Sequence, residues 1–429
     1  MAKNVIYYGP PGTGKTYYMQ NLISDYTDYK ITDEEIRNIY TNCSQDWLLF
    51  ALIILQSNTK MTTEEILNKV NSLNLGYNGH PSVQLTEHSI NADFLVKKQQ
   101  PLIFKETEGR WYVDRLRLFE YEPKIGNEYI KSEAIDRRYD FITFHQSFVY
   151  EDFIEGIRPV CDTEEEKKND NQNTNENNIK YSIQDGIFKR LCKNALKNPH
   201  KQYALFIDEI NRGNIAEIFG ELISLIEIDK RKGKYCEMDT ILPYSKKPFI
   251  VPSNLDIIGT MNSADKSIAG IDIALRRRFD FINLPCDYDS LKNTLSANGI
   301  DSNNIDGIDV ISLLRTLNQR LELLLDENHI IGHAYFIKVK SAIDIIDVVR
   351  KKIIPLLEEF FFDDLQKIQL VLNDLDENGE LRTNAIYTHK ELDVEKILPF
   401  VGDYDIENKK TYKLNEEISV ESIIKIYQT

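Results

Sequence analysis

The segment Gly9–Thr16 reads GPPGTGKT and lies between a short apolar stretch, Asn4–Tyr8, and a stretch whose apolar residues recur at helical spacing. It matches the pattern G-x-x-x-x-G-K-[ST], in which glycines let backbone amides curl around phosphates. In this pattern Lys15 reaches the β and γ phosphates, and the Thr16 hydroxyl is a ligand of Mg²⁺. A chance glycine-rich turn explains the strand–loop–helix context poorly. The sequence therefore predicts a nucleotide site formed by Gly9, Pro10, Pro11, Gly12, Thr13, Gly14, Lys15 and Thr16.

The bulk composition is that of an ordinary soluble globular chain. Its 429 residues suffice for two or three domains, with 42% hydrophobic and 28% charged residues. The longest apolar run, around Trp47–Leu55, is too short to span a membrane, and the N-terminal segment is unlike a signal peptide. The five cysteines form no C-x-x-C pair, and the net charge of −16 disfavours a broad nucleic-acid-coating surface. We therefore expect a cytoplasmic protein with no membrane partner and no zinc site.

An acidic pair follows a second buried strand. The segment YALFIDEIN, Tyr203–Asn211, carries Asp208 and Glu209 at the end of its apolar run. Asp208 suits Mg²⁺, through water, and Glu209 suits the base that orients or deprotonates an attacking water. Such a pair alone could be a helix cap, but beside a phosphate loop it predicts nucleotide hydrolysis.

Strands alternate with helices through this part of the chain. Predicted strands at Tyr139–His145, Tyr203–Asp208 and Asn254–Thr260 are separated by helical patterns. We expect Asn214–Asp229 to be one amphipathic helix, with Asn214 and Glu217 spaced as a capping box. The alternation predicts an α/β fold with a doubly wound parallel sheet.

A different pattern interrupts this alternation between residues 31 and 136. We predict helices at Gln45–Leu55, Met61–Leu73 and Leu85–Lys98, then a hairpin that turns at Glu108–Gly109. Three helices and a hairpin resemble a winged helix, which indicates DNA or partner binding. The alternative is an insertion that decorates the scaffold, and the balance of acids over bases favours it.

The remaining segments complete the expected domain plan. The stretch Asp162–Asn178 has no apolar residue, which predicts a disordered loop. After Pro285 the pattern is mostly helical, which predicts a second, α-rich domain. The plan is a nucleotide-binding core at 1–30 and 137–285, an inserted segment at 31–136, a disordered loop at 161–180, and an α-helical lid and C-terminal region at 286–429.

Asn262 and Asp265 have the separation with which many GTPases read guanine. The lysine of that motif, Asn-Lys-x-Asp, is missing here, and the strand that ends near Thr260 is expected to lie beside the Gly9 strand. Its carboxyl end then opens at the phosphates rather than at the base. We therefore interpret Asn262 as a polar sensor that holds the attacking water.

Two basic segments have more than one interpretation. Arg276, Arg277 and Arg278 could form a solvated face, or one of them could be an arginine finger that reaches the γ phosphate of a neighbouring subunit. A finger of that kind requires a ring. Lys230–Lys234, KRKGK, could face the pore of such a ring or simply place cations at a helix C-terminus.

These segments together resemble the AAA+ superfamily and, within it, the McrB group. The resemblance covers most of residues 1–28 and 139–375. It rests on GPPGTGKT (9–16), FHQSFVYEDFIEGIRP (144–159), DGIFKRLC (185–192), FIDEINRGNIAEIFGELISLIE (206–227), GTMNSADKSIAGIDIALRRRFDF (259–281), LLLDENHIIGHAYF (323–336) and IIPLLEEFFFDD (353–364).

The resemblance implies an AAA+ core with an α-helical lid and Mg²⁺-dependent hydrolysis in which GTP is preferred over ATP. It also implies a homo-hexameric ring and a McrC-type nuclease subunit that acts on DNA through the complex. Ser263 stands where the group usually has threonine, and the insertion of residues 31–136 is absent from compact members. Members in restriction systems often carry an N-terminal domain that reads modified DNA, and here the first strand is expected at the start of the chain.

Two other functions compete with a restriction motor. One is an ATP-dependent remodelling chaperone of the MoxR kind, which the segments 144–153 and 274–279 disfavour. The other is a DNA-binding regulator that uses the inserted segment, which the acidic balance disfavours. No Pro-Asp is followed by an (Asp/Glu)-x-Lys, so we expect no nuclease activity in this chain.

Overall fold

The computed structural model describes residues 2–91, 96–125, 135–160, 180–265, 273–362, 364–392 and 409–428. The strands are β1 (Asn4–Gly9), β2 (Thr27–Tyr29), β3 (Phe104–Thr107), β4 (Arg110–Val113), β5 (Ile135–Arg137), β6 (Tyr139–Thr143), β7 (Glu155–Val160), β8 (Lys180–Asp185), β9 (Tyr203–Asp208), β10 (Thr240–Ile241), β11 (Pro248–Phe249), β12 (Leu255–Asn262), β13 (Asp280–Asn283), β14 (Tyr387–Leu392) and β15 (Lys409–Leu414). The helices are α1 (Lys15–Ile23), α2 (Asp33–Cys43), α3 (Asp46–Ser57), α4 (Thr63–Ser72), α5 (Pro81–Glu87), α6 (Arg115–Tyr121), α7 (Tyr150–Phe153), α8 (Ile187–Lys197), α9 (Ile215–Phe219), α10 (Ile273–Arg276), α11 (Tyr288–Ala297), α12 (Val310–Leu324), α13 (Ala342–Val348), α14 (Ile354–Phe360), α15 (Leu365–Val371) and α16 (Val420–Ile424).

A five-stranded sheet forms the centre of the described chain. Its order is β13-β1-β12-β9-β6, and β9 runs parallel to both β12 and β6. Strand β9 is buried from Tyr203 to Ile207, as expected for a central parallel strand that is covered on both faces. The predicted α/β class is therefore confirmed.

The chain divides into two compact units. One unit contains residues 1–7, 16–261 and 267–282, and the other contains residues 8–15, 262–266 and 283–429. The phosphate loop from Gly9 to Lys15 thus belongs by its contacts to the unit that holds the C-terminal helices. That unit has its own core, in which Leu317 and Leu357 are fully buried.

The segment 31–136 has a separate apolar core within the first unit. Helix α3 supplies the largest share of it, because every residue from Trp47 to Leu55 is buried. The predicted hairpin is confirmed: Thr107 pairs with Arg110, and Glu108 and Gly109 have φ of 53° and 74°. Among the described residues of this segment, four helices precede the hairpin rather than three.

The predicted helix Leu85–Lys98 is wrong at residues 88–91 and 96–98, and residues 92–95 lie outside the described residues. Helix α5 begins earlier, at Pro81, and ends at Glu87. The N–H of Ile90 then donates to the carbonyl of Phe104 at 2.8 Å, and Ser89 forms an isolated parallel bridge with Phe104, the first residue of β3. Contacts with the distant strand β3 therefore form where the local spacing of apolar residues predicted a helix.

The predicted long helix Asn214–Asp229 is also wrong. Helix α9 stops at Phe219, because Gly220 has φ of +50°, and short 3₁₀ turns follow. The side chain of Asn214 makes no capping hydrogen bond. A Cβ on Gly220 would lie 3.1 Å from the Tyr150 ring, so packing against α7 accompanies the break.

The C-terminal region is less purely helical than predicted. Strands β14 and β15 pair antiparallel from Tyr387↔Leu414 to Leu392↔Lys409. The loop predicted to be disordered, 161–180, lies outside the described residues except for Lys180, which belongs to β8. Within the described ranges, no helix is both long and apolar enough to cross a membrane.

Candidate functional site

The phosphate loop connects β1 to α1 and is curled by its own hydrogen bonds. Gly12 and Gly14 have φ of 75° and 81°, values that favour glycine. The buried Lys15 ammonium donates to the carbonyls of Gly9 and Pro10, at 2.7 Å each. The Thr13 hydroxyl donates to the same Pro10 carbonyl at 3.0 Å. These bonds hold the loop as a concave run of backbone amides, which is a shape suited to anions.

The segment after α12 lies against the outer side of this loop. The N–H of Gly332 donates to the carbonyl of Pro11 at 2.9 Å, and the N–H of Ala334 donates to that of Gly12 at 2.8 Å. In a planar trans peptide the carbonyl and the next N–H point in opposite directions. The N–H groups of Gly12 and Thr13 are therefore directed away from this segment.

The contact is too close for side chains at its centre. A Cβ on Gly332 would lie 1.9 Å from the carbonyl carbon of Gly12, and a Cβ on Gly12 would lie 2.3 Å from the Tyr335 ring. Both positions therefore require glycine. We call this contact of Gly332 and Ala334 with Pro11 and Gly12 the Gly332 joint. Sequence patterns do not predict it, because it links backbone groups that are distant along the chain.

His333 fixes the middle of the same segment. Its Nδ1 accepts a hydrogen bond from the N–H of Asp287 at 3.0 Å. The ring is buried, and burial lowers the pKa of His333 below its usual value. A neutral imidazole is the form that can accept this bond.

The acidic pair lies where β9 ends. Asp208 and Glu209 are both half-buried, and Glu209 has φ of 53° and ψ of 48°, a left-handed conformation. The Thr260 hydroxyl, on β12, donates to Oδ1 of Asp208 and accepts the N–H of Glu209 at 3.3 Å. The guanidinium of Arg212 lies 3.5 Å from the Glu209 carboxylate. Sequence reasoning missed Thr260, although its place two residues before Asn262 is a usable signal.

Asn262 ends β12 and begins the polar turn that follows it. Its Nδ2 donates to Oδ1 of Asp265 at 3.1 Å. The N–H of Ser263 donates to the carbonyl of Gly9 at 3.0 Å, which ties this turn to the first residue of the phosphate loop. The contact agrees with the interpretation of Asn262 as a group near the phosphates.

The sheet order places the strands of these motifs side by side. Strand β12 lies between β1, which leads into the phosphate loop, and β9, which ends in the acids. The Thr16 side chain is exposed and Asp208 is half-buried. A hydroxyl and a carboxylate that solvent can reach are ligands that fit Mg²⁺.

The three consecutive arginines differ in their surroundings. Arg278 is buried, with its Nη2 2.9 Å from Oε1 of Glu227. The Arg277 side chain is 70% exposed, and Arg276 is exposed with its guanidinium 5.3 Å from the centre of the Phe281 ring. Burial within its own subunit disfavours Arg278 as a finger and favours Arg277.

Within the basic segment Lys230–Lys234, Arg231 is neither a residue that faces a pore nor a cation at a helix C-terminus. That side chain is fully buried and donates to the carbonyls of Ile226 and Leu255 and to Oδ1 of Asn4. Burial lowers the pKa of Arg231 to about 10. Arg231 therefore binds backbone inside the fold and is neither a pore residue nor an exposed cation at a helix end.

Known families match two parts of the chain. The model of the McrB α-helical lid domain matches residues 309–369, and that of the AAA domain of the dynein-related subfamily matches residues 130–279. The first match covers α12 to α14 and most of α15, and the second covers β6, β9 and β12 of the five-stranded sheet.

Two curated relatives are similar over longer stretches. The McrB subunit of the type IV methyl-directed restriction enzyme EcoK, from Escherichia coli K12, is 31% identical over 332 residues, which are 72% of this chain and 68% of the relative. Component YdiS of the type II restriction enzyme BsuMI, from Bacillus subtilis 168, is 31% identical over 158 residues. That second match covers 33% of this chain and 46% of the relative.

Proposed function

The chain belongs to the McrB family of AAA+ proteins, and from this membership we propose that it is the GTP-hydrolysing motor subunit of a McrBC-type restriction system. The observation that carries the proposal is the similarity to a restriction-enzyme subunit over 72% of this chain, together with the match of the McrB lid model to residues 309–369. A MoxR-like chaperone is disfavoured, because the matching lid model is that of McrB.

The residues of the proposed nucleotide site come from the motifs that the sequence predicted. The phosphate loop, Gly9–Thr16, binds the phosphates through backbone amides and through Lys15. Thr16 and Asp208 hold Mg²⁺, which, when bound, neutralises charge on the phosphates. Glu209 accepts a proton from the attacking water, and Asn262 holds that water in place.

We propose GTP as the preferred nucleotide, with ATP as the alternative. Similarity to the McrB subunit supports GTP, and none of the contacts described above selects a base. The structure does not favour Asn262 and Asp265 as a guanine-reading pair, because the Asp265 carboxylate accepts a hydrogen bond from Asn262.

The proposed assembly is a homo-hexameric ring that carries a McrC-type nuclease subunit. Arg277 is exposed and close to the end of α10, so it can reach a neighbouring protomer. The ring would translocate DNA at the expense of hydrolysis, and the partner would cleave it. Residues 31–136 would remain a separate inserted domain, and their surplus of acids makes it a poor DNA reader.

The main test is co-purification with the product of the neighbouring gene in the presence of a slowly hydrolysed GTP analogue. GTP and ATP turnover are then measured with and without that partner. We expect a complex and a GTP turnover that rises when the partner is present. Equal or faster ATP turnover in the complex would favour the chaperone, and absence of both complex and stimulation would contradict the restriction motor.

A second test compares the two arginines. Arg277→Ala should lower turnover by about a thousandfold, as loss of an arginine finger does, without changing the unfolding temperature. Mixing it with Lys15→Ala should restore part of the hydrolysis, because some interfaces then pair an intact loop with an intact finger. Arg278→Ala should instead lower stability by about 1–3 kcal/mol, since it removes one of the two cations closest to the Glu227 carboxylate, the other being Lys230 at 2.8 Å. Rings shown to be mixed that recover no activity would exclude Arg277 as the finger.

A further inference from the structure

One buried hydroxyl contacts both members of the acidic pair. Thr260 is 1% exposed and lies on β12, one residue beyond the Gly259↔Ile207 pair of the β9–β12 ladder. Its Oγ1 donates a proton to Oδ1 of Asp208 and accepts the N–H of Glu209 at 3.3 Å. A hydroxyl can do both at once, because it carries one donor and two lone pairs.

The two contacts fix different things. The bond to Oδ1 orients the Asp208 carboxylate, which would otherwise rotate about its side-chain torsions. The bond from the Glu209 N–H anchors a residue whose φ of 53° is unfavourable for any side chain that has a Cβ. The backbone conformation of Glu209 sets the direction in which its carboxylate points.

We propose that Thr260 is a positioning residue that sets the Mg²⁺ ligand Asp208 and the base Glu209 through a single hydroxyl. The proposal rests on the proposed nucleotide site and adds to it a residue that touches neither nucleotide nor metal. Groups that orient a metal ligand typically change metal affinity or activity by about 10–100-fold when removed.

The test is a pair of substitutions that differ in the hydroxyl. Thr260→Val keeps the branched shape and removes both hydrogen bonds, whereas Thr260→Ser keeps the hydroxyl and removes a methyl group. Thr388→Val is the matched control, because Thr388 is also a strand threonine with a hydrogen-bonded hydroxyl, 3.2 Å from the Lys413 carbonyl, in the other unit.

The readout is the affinity for fluorescent GTP and ATP analogues in EDTA and in Mg²⁺, measured on the full chain well below its unfolding temperature. Wild-type protein should gain affinity with Mg²⁺. Thr260→Val should reduce that gain by about 10–100-fold while its affinity in EDTA stays within about twofold. Thr260→Ser and Thr388→Val should keep the gain.

Turnover supplies the second readout. Thr260→Val should raise the Mg²⁺ concentration for half-maximal turnover and lower the maximum, and Thr260→Ser should recover most of both. A Thr260→Val protein with the wild-type response to Mg²⁺ overturns the proposal, even if its unfolding temperature falls, and leaves the proposed function standing. If Mg²⁺ does not change the nucleotide affinity of the wild-type protein, both the positioning role of Thr260 and the proposed metal site are contradicted. A missing partner complex with an intact Mg²⁺ response would count against the restriction motor alone.

Discussion

The phosphate loop and the acidic pair are held in different ways. The loop is fixed by backbone groups: its own carbonyls bind Lys15, and the amides of Gly332 and Ala334 bind its outer side. The acidic pair is fixed by a side chain, the hydroxyl of Thr260. A contact between backbone groups is disrupted only by a steric clash or by a change of backbone conformation. A contact made by a side chain is disrupted when its one functional group is removed. The two halves of the proposed site should therefore respond to different kinds of substitution.

The largest expected effect separates chemistry from binding. Glu209→Gln keeps the size of the side chain and removes the base, so turnover should fall by about 10²–10⁴-fold while nucleotide still binds. Lys15→Ala should instead lose binding. Equilibrium binding and steady-state turnover on the same preparations make the comparison. Near-normal turnover by Glu209→Gln would mean that another group is the base.

A smaller effect is expected when the backbone joint is forced apart. Gly332→Ala places a methyl group against the Gly12 carbonyl, 1.9 Å away, so the segment must move off the loop. We expect affinity for both di- and triphosphates to fall about tenfold, equivalent to about 1.4 kcal/mol, because the amides that face the phosphates lose their orientation. Fluorescent-nucleotide titration measures this.

The control for that substitution lies two residues away. Ala334→Gly retains the donating amide and introduces no collision, so its affinity should stay within about twofold of wild type. If Gly332→Ala bound nucleotide as tightly as Ala334→Gly, the joint would have no part in shaping the phosphate loop.

The smallest expected effect is a dependence on pH. The pKa of His333 is lowered in the folded protein, so the unfolded chain takes up the proton first as pH falls. The stabilising contribution is complete above the unfolded pKa, near 6.5, and is lost as the pH falls from there through the lowered folded pKa. His333→Asn keeps an acceptor for the Asp287 N–H but does not titrate.

Denaturant unfolding between pH 7.5 and 5, at about half-unit steps, gives the measurement. The loss of unfolding free energy on acidification should be smaller for His333→Asn than for wild type. Parallel curves for the two proteins would show that the histidine does not couple the joint to pH.

Local patterns predicted the parts of the site that local chemistry determines. The strand–loop–helix of Gly9–Thr16 and the strands that end at Asp208 and Asn262 have strong apolar patterns, because central parallel strands are buried on both faces. The expectation that the strand ending near Thr260 lies beside the Gly9 strand is confirmed by the sheet order. How Asn262 and the arginines act stays a prediction.

Contacts between distant segments account for what could not be predicted. The amphipathic spacing of residues 214–229 favoured one long helix, but the positive φ of Gly220 ends the helix early. Ile90 was predicted to be helical, but its N–H donates to the carbonyl of Phe104 instead. Arg231 lies in a basic run of the sequence, yet the carbonyls of Ile226 and Leu255 and the distant side chain of Asn4 bind it in the core. The Gly332 joint has no side-chain pattern at all.

The joint between Gly332 and the phosphate loop has an evolutionary consequence. Main-chain groups are the same in every residue except proline, so two surfaces that meet through them need no matched pair of side chains. Substitutions elsewhere in the lid can accumulate without a compensating change in the loop, provided that Gly12 and Gly332 remain. Lids exchanged between divergent members of the family should for this reason fit one another's phosphate loops.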